Sequence, residues 1–322
     1  MIRIRITDHP ILDNAVGNII SFTFNGQEMR GQEGEMVSSA LAANGVRSFS
    51  IHKVGDAPQG IFCANGQCAQ CTVIINGHSQ KSCVTPLTEG MVIETLVHFP
   101  ELPADDVPRK SHKPQELTCD VLVIGGGPSG ITAAIELSKQ GFSVILVDDK
   151  DRLGGKLVLQ THKFFGSMAD CYAGTRGTDI GKILEEEVRS RENIRIMTNS
   201  TVAGIYSDGK AGVYENNRYY THISFEALIV AAGARERSLL FPGNDLPGVF
   251  GAGAFQTLVN RDLVKASERV LIVGCGNVGL IGAYHALQAG IEVVGIIDIA
   301  SNISGYKVHA DKIQRMGVPI YL

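Results

Sequence analysis

The sequence predicts two architectures in one chain, a small α+β module at the N-terminus and a larger α/β region with parallel sheets after it. The first prediction rests on short alternating strand patterns around a single helical stretch in residues 1–98. The second rests on two segments, 119–149 and 269–298, that share the plan strand, glycine turn, helix, strand. Four prolines between residues 97 and 117 indicate an extended linker between the two regions.

The elements of each region follow from periodicity and turn residues. In the N-terminal module we expect a strand at 19–24, a hairpin turn at Asn25-Gly26, a helix at 35–44 that ends at Gly45, a hairpin around Asn76-Gly77 and a strand at 91–96. Between the two repeated segments we expect a helix at 178–190, a strand at 194–202, a hairpin around Asp208-Gly209 and a buried strand at 227–234. The predicted domains are therefore 1–98, a linker at 99–117, 118–265 and 266–322.

Composition excludes several classes of protein. The 322 residues are 44% hydrophobic and 19% charged, with a mean hydropathy of +0.09, which excludes a disordered chain. The formal net charge is −4 and no basic stripe alternates with aromatic residues, so we expect no nucleic-acid partner. No apolar run reaches the length of a signal peptide or a membrane span, so we expect a cytoplasmic protein. The 37 glycines exceed the usual share of about 7% and predict special backbone geometry.

Four cysteines carry the clearest chemical signal. Cys63, Cys68, Cys71 and Cys83 are spaced C-x4-C-x2-C-x11-C. The first three match the plant-type [2Fe-2S] spacing, in which a tight loop wraps the cluster. A two-residue turn at Asn76-Gly77 would pair Cys71 with Ser82. The next pair would be Gln70 with Cys83, so that the fourth thiol lies beside the third. The pattern predicts a β-grasp ferredoxin-like module whose small loop residues let backbone N–H groups approach the sulfurs.

Two other interpretations of these cysteines stay open. A structural zinc site usually shows two C-x2-C pairs, whereas this segment has one. Inert buried cysteines seldom occur four together at such spacings. The remaining Cys119, Cys171 and Cys275 are isolated, and we expect them to be core thiols.

A first dinucleotide fingerprint, G-x-G-x-x-G, opens the α/β region. Its glycines permit a tight turn, the approach of a pyrophosphate and close helix packing, with the helix N-terminus facing the negative charge. An acid ends the next strand 18 residues later, where a carboxylate can accept hydrogen bonds from ribose hydroxyls. The candidate contacts are Gly125, Gly127, Pro128, Ser129, Gly130 and Asp148.

We predict FAD as the ligand of this fingerprint, although a nicotinamide dinucleotide would use the same glycines. Gly154-Gly155 follow the acid closely, and the expected strand at 227–234 contains Ala231-Ala232-Gly233. Both features resemble motifs of the two-dinucleotide-domain flavoproteins, where a second glycine pair and such a strand end also hold FAD. This makes Gly155, Ala232 and Gly233 candidate contacts. A plain strand-to-turn transition is the alternative interpretation for Ala232-Gly233.

A second fingerprint repeats the plan near residue 274. The expected acid again ends the following strand, 19 residues after the last glycine. A carboxylate favours a free ribose 2′-hydroxyl over a 2′-phosphate, so NAD(H) is preferred to NADP(H). The alternative is a fold that has kept its shape and binds nothing. The candidate contacts are Gly274, Gly276, Asn277, Val278, Gly279 and Asp298.

From about residue 19 to its end the chain resembles the α-type subunits of the hydrogen cyanide synthase, dye-linked proline or hydroxyproline dehydrogenase and sarcosine oxidase group, or fused relatives of them. GIFCANGQCAQCTVIINGHSQKSCVTPL is similar to their [2Fe-2S] module, and VLVIGGGPSGITAAIEL to their FAD module. The resemblance implies that the four cysteines are cluster ligands and that the glycines and acids are nucleotide contacts. It also implies a backbone contact from Val202 to adenine, with an ordinary strand valine as the alternative.

Two departures from that group shape the remaining expectations. The group's flavin fold returns to a last strand with a Gly-Asp motif, and this sequence ends at GVPIYL without it, so we expect a Rossmann-like FAD/NAD fold that is incomplete at the C-terminus. Truncation or a second polypeptide would account for the difference. No catalytic acid or base for amine oxidation stands out. The conceivable flavin-side residues are His162, Lys163, Tyr172 and Arg176, for which loop structure is the simpler interpretation.

The three modules suggest an electron-transferring flavoprotein oxidoreductase subunit that links NAD(H), FAD and a [2Fe-2S] cluster, because a flavin exchanges both one and two electrons. One alternative is the α subunit of an amine or amino-acid dehydrogenase whose substrate is oxidised in another subunit. The other is a non-catalytic nucleotide-binding scaffold that relays electrons. We expect partner subunits in a hetero-oligomer and small nucleotide ligands.

Overall fold

The computed structural model describes residues 4–13, 17–97, 112–216 and 218–322. These residues form two compact units, one made of 4–97 with 236–322 and the other of 112–235. The ferredoxin-like module and the second fingerprint therefore belong to one unit, and the first fingerprint belongs to the other. This division differs over residues 236–265 from the domain limits drawn on the sequence, which stay predictions. Residues 99–111 of the expected linker at 99–117 lie outside the described residues.

The described residues contain sixteen strands and seven α-helices, numbered in chain order. The strands are β1 (Ile19–Phe24), β2 (Gln27–Gln32), β3 (Ser50–Ile51), β4 (Pro58–Gln59), β5 (Thr72–Ile75), β6 (His78–Lys81), β7 (Val92–Thr95), β8 (Gln115–Ile124), β9 (Val144–Val147), β10 (Ile194–Met197), β11 (Ser200–Ile205), β12 (Lys210–Glu215), β13 (Tyr219–Val230), β14 (Arg269–Val273), β15 (Glu292–Ile297) and β16 (Ile320–Tyr321). The helices are α1 (Val37–Ala43), α2 (Pro128–Lys139), α3 (Met168–Cys171), α4 (Gly177–Arg189), α5 (Ala252–Asn260), α6 (Asn277–Gln288) and α7 (Lys307–Arg315), with short 3-10 helices at Ser82–Val84 and Gly155–Leu159.

The N-terminal module is a five-stranded mixed sheet in the order β2-β1-β7-β5-β6, with α1 packed against it. Both predicted hairpins are present. Asn25 and Gly26 have φ of 50° and 77°, and Asn76 and Gly77 have φ of 50° and 81°. Positive φ at both central residues is the geometry of the tight turn that matches the right-handed twist of two antiparallel strands. A central parallel pair, β1 with β7, flanked by hairpins confirms the predicted β-grasp arrangement.

The unit of residues 112–235 contains a six-stranded sheet in the order β10-β9-β8-β13-β12-β11. The strands β10, β9, β8 and β13 run parallel, and β13, β12 and β11 are antiparallel. On one face the apolar side of α2 and α4, including Ile131 and Leu184, packs on Val123. On the other face Val213 of β12 packs among residues such as Leu122. The central parallel strands are thus covered on both sides, as parallel sheets require.

The second fingerprint lies on a smaller parallel sheet, β14-β15-β16, against which α6 and α7 pack. The core of this part is continuous with that of the ferredoxin-like module, because α5 and α6 join the same buried cluster as α1 and β1. The α5 segment also contacts the cluster loop, since Gly251 N donates to Phe62 O at 3.0 Å. Among the described residues, no helix is both long enough and apolar enough to cross a membrane.

Three expectations about the elements were wrong in detail. The strand expected at 194–202 is two strands, β10 and β11, because Asn199 turns the chain with a φ of 48°. Strand β8 begins at Gln115, inside the expected linker. The strand expected to be buried at 227–234 ends at Val230, whose side chain is 66% exposed. The reason is that β12 pairs with β13 only over residues 219–224, which leaves one edge of the later residues without a neighbouring strand in the described chain.

An ion pair fastens the N-terminal residues to the ferredoxin-like sheet. The Arg5 guanidinium donates to both carboxylate oxygens of Glu35, at 2.6 and 3.0 Å, and Gln32 N donates to the same carboxylate at 2.6 Å. The neighbouring backbone continues the link, because Ile6 N donates to Leu263 O at 2.8 Å. Glu35 is therefore the shared acceptor at the junction between the N-terminal residues and the sheet.

We expect Glu35→Ala to lower the free energy of unfolding by about 2 kcal/mol, because three donors lose their acceptor at a site where the Glu35 side chain is only 10% exposed. Glu33→Ala is the matched control, since Glu33 accepts one exposed hydrogen bond from Asn18, and about 0.5 kcal/mol or less is expected. Urea unfolding followed by circular dichroism measures both, as the chain has no Trp. Equal losses of unfolding free energy in the two variants would contradict the role of Glu35 as the shared acceptor.

Candidate functional site

The loop between β4 and β5 carries three of the predicted thiols, and the 3-10 helix Ser82–Val84 after β6 brings the fourth beside them. Side-chain contacts link Cys63 to Cys68 and to Cys83, and a further contact links Cys71 to Cys83. Cys71 and Cys83 are each 1% exposed, whereas Cys63 and Cys68 are half-buried. The four sulfurs thus form one connected group that is buried at one end and reaches the surface at the other.

The fourth thiol reaches this group by a route that differs from the predicted ladder. The β5–β6 pairing ends at Thr72 with Lys81, and the expected Gln70–Cys83 pair is not formed. Ser82 still donates from both its backbone N and its hydroxyl to Cys71 O, at 3.1 and 2.6 Å. The chain then turns into the 3-10 helix Ser82–Val84, which carries Cys83 beside Cys71. Cys83 thus lies beside Cys71 as expected, but a helical turn places it there and not a further pair of the strand ladder.

Backbone N–H groups point at two of the sulfurs. Gly66 N donates to Cys83 Sγ at 3.2 Å, and Cys68 N donates to Cys63 Sγ at 3.3 Å. Gly66 has a φ of 80°, which a residue with a side chain rarely adopts. Small loop residues therefore allow the backbone to approach the sulfurs, as predicted, and such hydrogen bonds stabilise thiolates.

The contacts among the thiols also separate their acidities. Hydrogen bonding with Cys68 and then Cys83 lowers the pKa of Cys63 well below its ordinary value. Contact with Cys83 lowers the pKa of Cys71 to about 7. The pKa of Cys68 is raised by Cys63, and that of Cys83 is raised by Cys63 and then by Cys71. A lowered pKa at Cys63 and Cys71 favours the thiolate, the form that binds metal.

The donor set fits a [2Fe-2S] cluster. Four thiols lie together, and a [2Fe-2S] cluster takes four thiolates shared between its two irons. The contacts Cys63–Cys68 and Cys71–Cys83 would provide two sulfurs for each iron, and the N–H groups near the sulfurs suit an anionic cluster. Among the described residues no three or more His, Cys, Asp or Glu side chains are arranged as ligands of a metal ion, so the fit rests on the grouping and chemistry of the four thiols.

The turn between β8 and α2 has the geometry that a dinucleotide pyrophosphate requires. Gly125 has a φ of 110°, and a Cβ at Gly130 would lie closer than 3.0 Å to Gly125 O, so both positions exclude a side chain. At Gly127 a Cβ would meet only Gly155 Cα, at 3.9 Å. The space in front of the α2 N-terminus is therefore open where the phosphates would lie, and the site fits the group.

Asp148 follows β9 directly and is held by the turn. Its Oδ2 accepts a hydrogen bond from Gly126 N at 2.5 Å, and its Oδ1 accepts one from Lys150 N at 2.8 Å. Burial raises the pKa of this carboxyl, and the two N–H groups oppose the shift. Each oxygen keeps a further lone pair that can accept from a ribose hydroxyl.

The other candidate FAD residues surround the same turn. Gly154 N donates to Gly126 O at 2.8 Å, so the pair Gly154-Gly155 closes against the fingerprint. The end of β13 lies there too, since a Cβ at Gly125 would clash with Ala231 O, and Ala232 and Gly233 follow. Strand β11 starts beside the acid, where Ser200 N donates to Asp148 O at 2.9 Å, and Val202 is two residues further on.

The second turn, between β14 and α6, repeats this geometry. Gly274 has a φ of 107°, and a Cβ at Gly279 would lie closer than 3.0 Å to Gly274 O. Asp298 accepts hydrogen bonds from Cys275 N at 2.6 Å and from Ala300 N at 3.0 Å, as Asp148 does from its own turn. Asn277 and Val278 begin α6, so the structure brings every predicted residue of this site to one turn.

The pKa values of the two acids shift in opposite directions. The backbone N–H of Cys275, followed by that of Ala300, lowers the pKa of Asp298 to about 2, whereas burial raises the pKa of Asp148. A pKa that is depressed in the folded state means that Asp298 favours folding above about pH 4, and that this contribution is lost as the pH falls toward about 2. Asp298 is therefore a fixed negative charge at neutral pH.

One pair of residues that closes the second turn was not foreseen from the sequence. Gly305 N donates to Cys275 O at 3.1 Å, the counterpart of Gly154 N with Gly126 O. Tyr306 N donates to Asn277 Oδ1 at 2.7 Å, which occupies this side-chain oxygen. The internal repeat contained the signal, because Gly154 follows its acid by six residues and Gly305 follows its own by seven.

The four conceivable flavin-side residues lie between the 3-10 helix Gly155–Leu159 and α4; they are His162, Lys163, Tyr172 and Arg176. His162 is 8% exposed and stacks on Phe165, with ring centroids 4.5 Å apart. Arg176 precedes α4 as its N-cap residue, but its side chain does not cap the helix, and its buried Nε has no hydrogen-bond partner among the described residues. Cys119 and Cys275 are buried as expected, but Cys171 is exposed on the four-residue helix α3, which is too short to bury it.

The family follows from the α/β region. Residues 119–320 match the model of the pyridine nucleotide-disulphide oxidoreductases. The chain belongs to this family. Residues 17–98 match the model described as a 2Fe-2S iron-sulfur cluster binding domain. These matches confirm the predicted fold class, the FAD-dependent oxidoreductase assignment, and [2Fe-2S] and FAD as cofactors.

Curated relatives of this pyridine nucleotide-disulphide oxidoreductase include the predicted group. The alpha subunit of sarcosine oxidase from Rhizobium meliloti (strain 1021) is 27% identical over 87% of this chain and 34% of its own length. The HcnB subunit of hydrogen cyanide synthase from Pseudomonas protegens is 32% identical over 56% of this chain and 39% of its own length. The chain thus spans about a third of the length of these relatives.

Among solved structures, L-proline dehydrogenase from P. horikoshii has the same fold. It superposes with a TM-score of 0.74 over 92% of this chain and 58% of its own chain, at 24% sequence identity. The predicted resemblance to the sarcosine oxidase, hydrogen cyanide synthase and proline dehydrogenase group is confirmed at the level of fold and family.

Proposed function

We propose that this chain is an oxidoreductase subunit that passes electrons between NAD(H), FAD and a [2Fe-2S] cluster, within a cytoplasmic hetero-oligomer. The observation that carries the proposal is the second dinucleotide turn, which repeats two features of the first: two N–H groups that donate to the acid, and the close approach of the last glycine to the carbonyl of the first. A turn that bound nothing would have no need of the second carboxylate held by two N–H groups.

Separate sets of residues would hold FAD, NAD(H) and the [2Fe-2S] cluster. When bound, the flavin exchanges two electrons with a nicotinamide and single electrons with an iron–sulfur cluster. The first turn and Asp148 would hold the FAD pyrophosphate and ribose, and the open space at Gly127 would admit the phosphates. The second turn and Asp298 would hold NAD(H), whose free 2′-hydroxyl suits the fixed negative charge of the acid. The four cysteines would hold the cluster, with Cys71 and Cys83 at its buried end.

A second candidate function is the α subunit of an amine or amino-acid dehydrogenase. Its support is the 27% identity to the alpha subunit of sarcosine oxidase over 87% of this chain. Three relatives are named as subunits, those of sarcosine oxidase, of hydrogen cyanide synthase and, in Agrobacterium tumefaciens, of opine oxidase, which supports a hetero-oligomer for this chain too. In that case a partner would oxidise the substrate.

Anaerobic addition of NADH to the FAD-loaded and cluster-loaded protein separates the two functions. We expect the visible flavin absorbance to bleach with NADH and to bleach far more slowly with NADPH. Failure to bleach with NADH, in a protein shown to contain flavin, iron and sulfide, would overturn the first function. Bleaching only by sarcosine or proline, and only in the presence of partner subunits, would establish the second.

Asp298→Asn tests the nicotinamide specificity within the same assay. Removing the charge is expected to reduce the preference for NADH over NADPH by about tenfold, because the amide no longer repels a 2′-phosphate. The matched variant Asp148→Asn removes the equivalent acid of the first turn, and we expect it to weaken FAD retention and leave the nicotinamide preference unchanged. An unaltered preference in Asp298→Asn would contradict the specificity assignment.

A further inference from the structure

We infer that Lys81 sets the reduction potential of the cluster, by placing a positive charge against the cluster loop. The inference rests on the proposed cluster site and adds to it a residue that is not a ligand. Lys81 is the last residue of β6, where it pairs with Thr72 across the hairpin. The hairpin register thereby brings its side chain to the loop that carries the thiols.

The contact is short and specific. Lys81 Nζ donates to Gly66 O at 2.7 Å in a partly buried position. Gly66 N in turn donates to Cys83 Sγ at 3.2 Å. Because one residue spans at most about 3.6 Å, the ammonium lies within roughly 10 Å of the Cys83 sulfur. Gly66 is therefore the single residue that connects the Lys81 ammonium to Cys83, at the buried end of the thiol group.

Among the described residues no Asp or Glu forms an ion pair with Lys81. The group that its ammonium contacts is a neutral carbonyl, Gly66 O, at 2.7 Å. Since the ammonium is partly buried and about one Debye length or less from the sulfurs, salt screens it only in part. Its field therefore acts on the sulfurs.

The direction of the effect follows from charge. A [2Fe-2S] cluster bound by four thiolates is an anion, and it gains one more negative charge when it accepts an electron. Net charge and hydrogen bonding around the sulfurs are among the determinants of cluster potential. A fixed cation nearby stabilises the reduced form more than the oxidised form, so Lys81 raises the midpoint potential. It is a positioning and tuning residue, since it touches the loop and binds no iron.

Three substitutions separate the charge from the hydrogen bond. Lys81→Met removes both, Lys81→Gln keeps an N–H donor without charge, and Lys81→Arg keeps the charge. If charge acts, Lys81→Met and Lys81→Gln both lower the midpoint by an amount that corresponds to about a tenfold change in the reduction equilibrium, 59 mV for one electron, and Lys81→Arg resembles the wild type. Lys182→Met, on the exposed surface of α4, is the control for the loss of one charge elsewhere.

The measurement is a potentiometric titration of the cluster in the full chain, followed by electron paramagnetic resonance. The wild type is titrated first, and an absent [2Fe-2S] signal there would refute the cluster site itself. With the signal present, a midpoint potential in Lys81→Gln equal to that of the wild type would overturn the inference. Lys81 would then act only through its hydrogen bond to the loop, and its charge would have no effect on the potential. Loss of iron from both neutral variants would also overturn it, in favour of a role in assembly. A shift in Lys182→Met equal to that in Lys81→Met would show a general charge effect and overturn it as well.

Discussion

Gly130→Ala is expected to abolish FAD retention, whereas Gly279→Ala is expected to leave FAD bound and to abolish reduction of the flavin by NADH. The two glycines occupy the same position in the two dinucleotide turns. In each, a Cβ would lie closer than 3.0 Å to the carbonyl oxygen of the first glycine of its own fingerprint. That oxygen belongs to the backbone and cannot rotate away, so the helix and the turn must move apart.

The displacement affects the atoms that the ligands need. Moving the N-terminus of α2 away from its turn shifts the N–H groups that would face the pyrophosphate, and also the N–H of Gly126 that holds Asp148. A misplacement of about 1 Å is enough to lose most of a preorganised binding site. Because the two turns lie in different compact units, each substitution is expected to act on its own nucleotide.

Gly282→Ala is the matched control for this pair. Gly282 lies in α6 close to Gly279, but a Cβ there would meet no atom within 4 Å. Alanine is the better helix former, so this variant should bind both nucleotides and be slightly more stable than the wild type. The measurements are flavin released per chain, absorbance bleaching with NADH, and thermal unfolding. Loss of FAD in Gly279→Ala, or normal NADH reduction in that variant, would contradict the assignment of the second turn.

The sequence predicted the local units well because their signals are local. A hairpin such as β5–β6 is specified by Asn76 and Gly77, which adopt the positive φ that the turn requires. The fingerprint glycines and the acids at the strand ends are separated by one helix, so their spacing already implies their meeting. The structure accordingly brings both sets of dinucleotide residues together as expected.

What the sequence could not provide depends on contacts between distant segments. The exposure of Val230 depends on where β12 stops pairing with β13, which no pattern within β13 encodes. The approach of Gly251 to Phe62, which joins α5 to the cluster loop, links residues 189 positions apart. Lys81 was not predicted either, because a lysine near a cysteine is unremarkable until the hairpin register aims it at Gly66.

Cys71→Ala and Cys83→Ala are each expected to reduce iron and acid-labile sulfide from about two of each per chain to near zero, with FAD retained. Both thiols are 1% exposed and lie in mutual contact, so the loss of one leaves an iron without a ligand that water cannot easily replace. FAD should remain because its predicted contacts lie in the unit of residues 112–235, away from these cysteines in the chain. Metal analysis, visible absorbance and extracted flavin measure the three quantities.

Cys171→Ala provides the control, since Cys171 is an exposed thiol in the short helix α3 and should keep full iron and sulfide. Alanine removes only one sulfur atom, so the cavity left at Cys71 or Cys83 should cost about 1 to 2 kcal/mol and leave the chain folded. Retained flavin together with lost iron then identifies a missing ligand and not a misfolded chain. Zinc without sulfide in the wild-type protein would instead mean that the four thiols bind a mononuclear metal, and the [2Fe-2S] assignment of these four residues would be wrong. The readout thus depends on sulfide as much as on iron, because only an iron–sulfur cluster requires both.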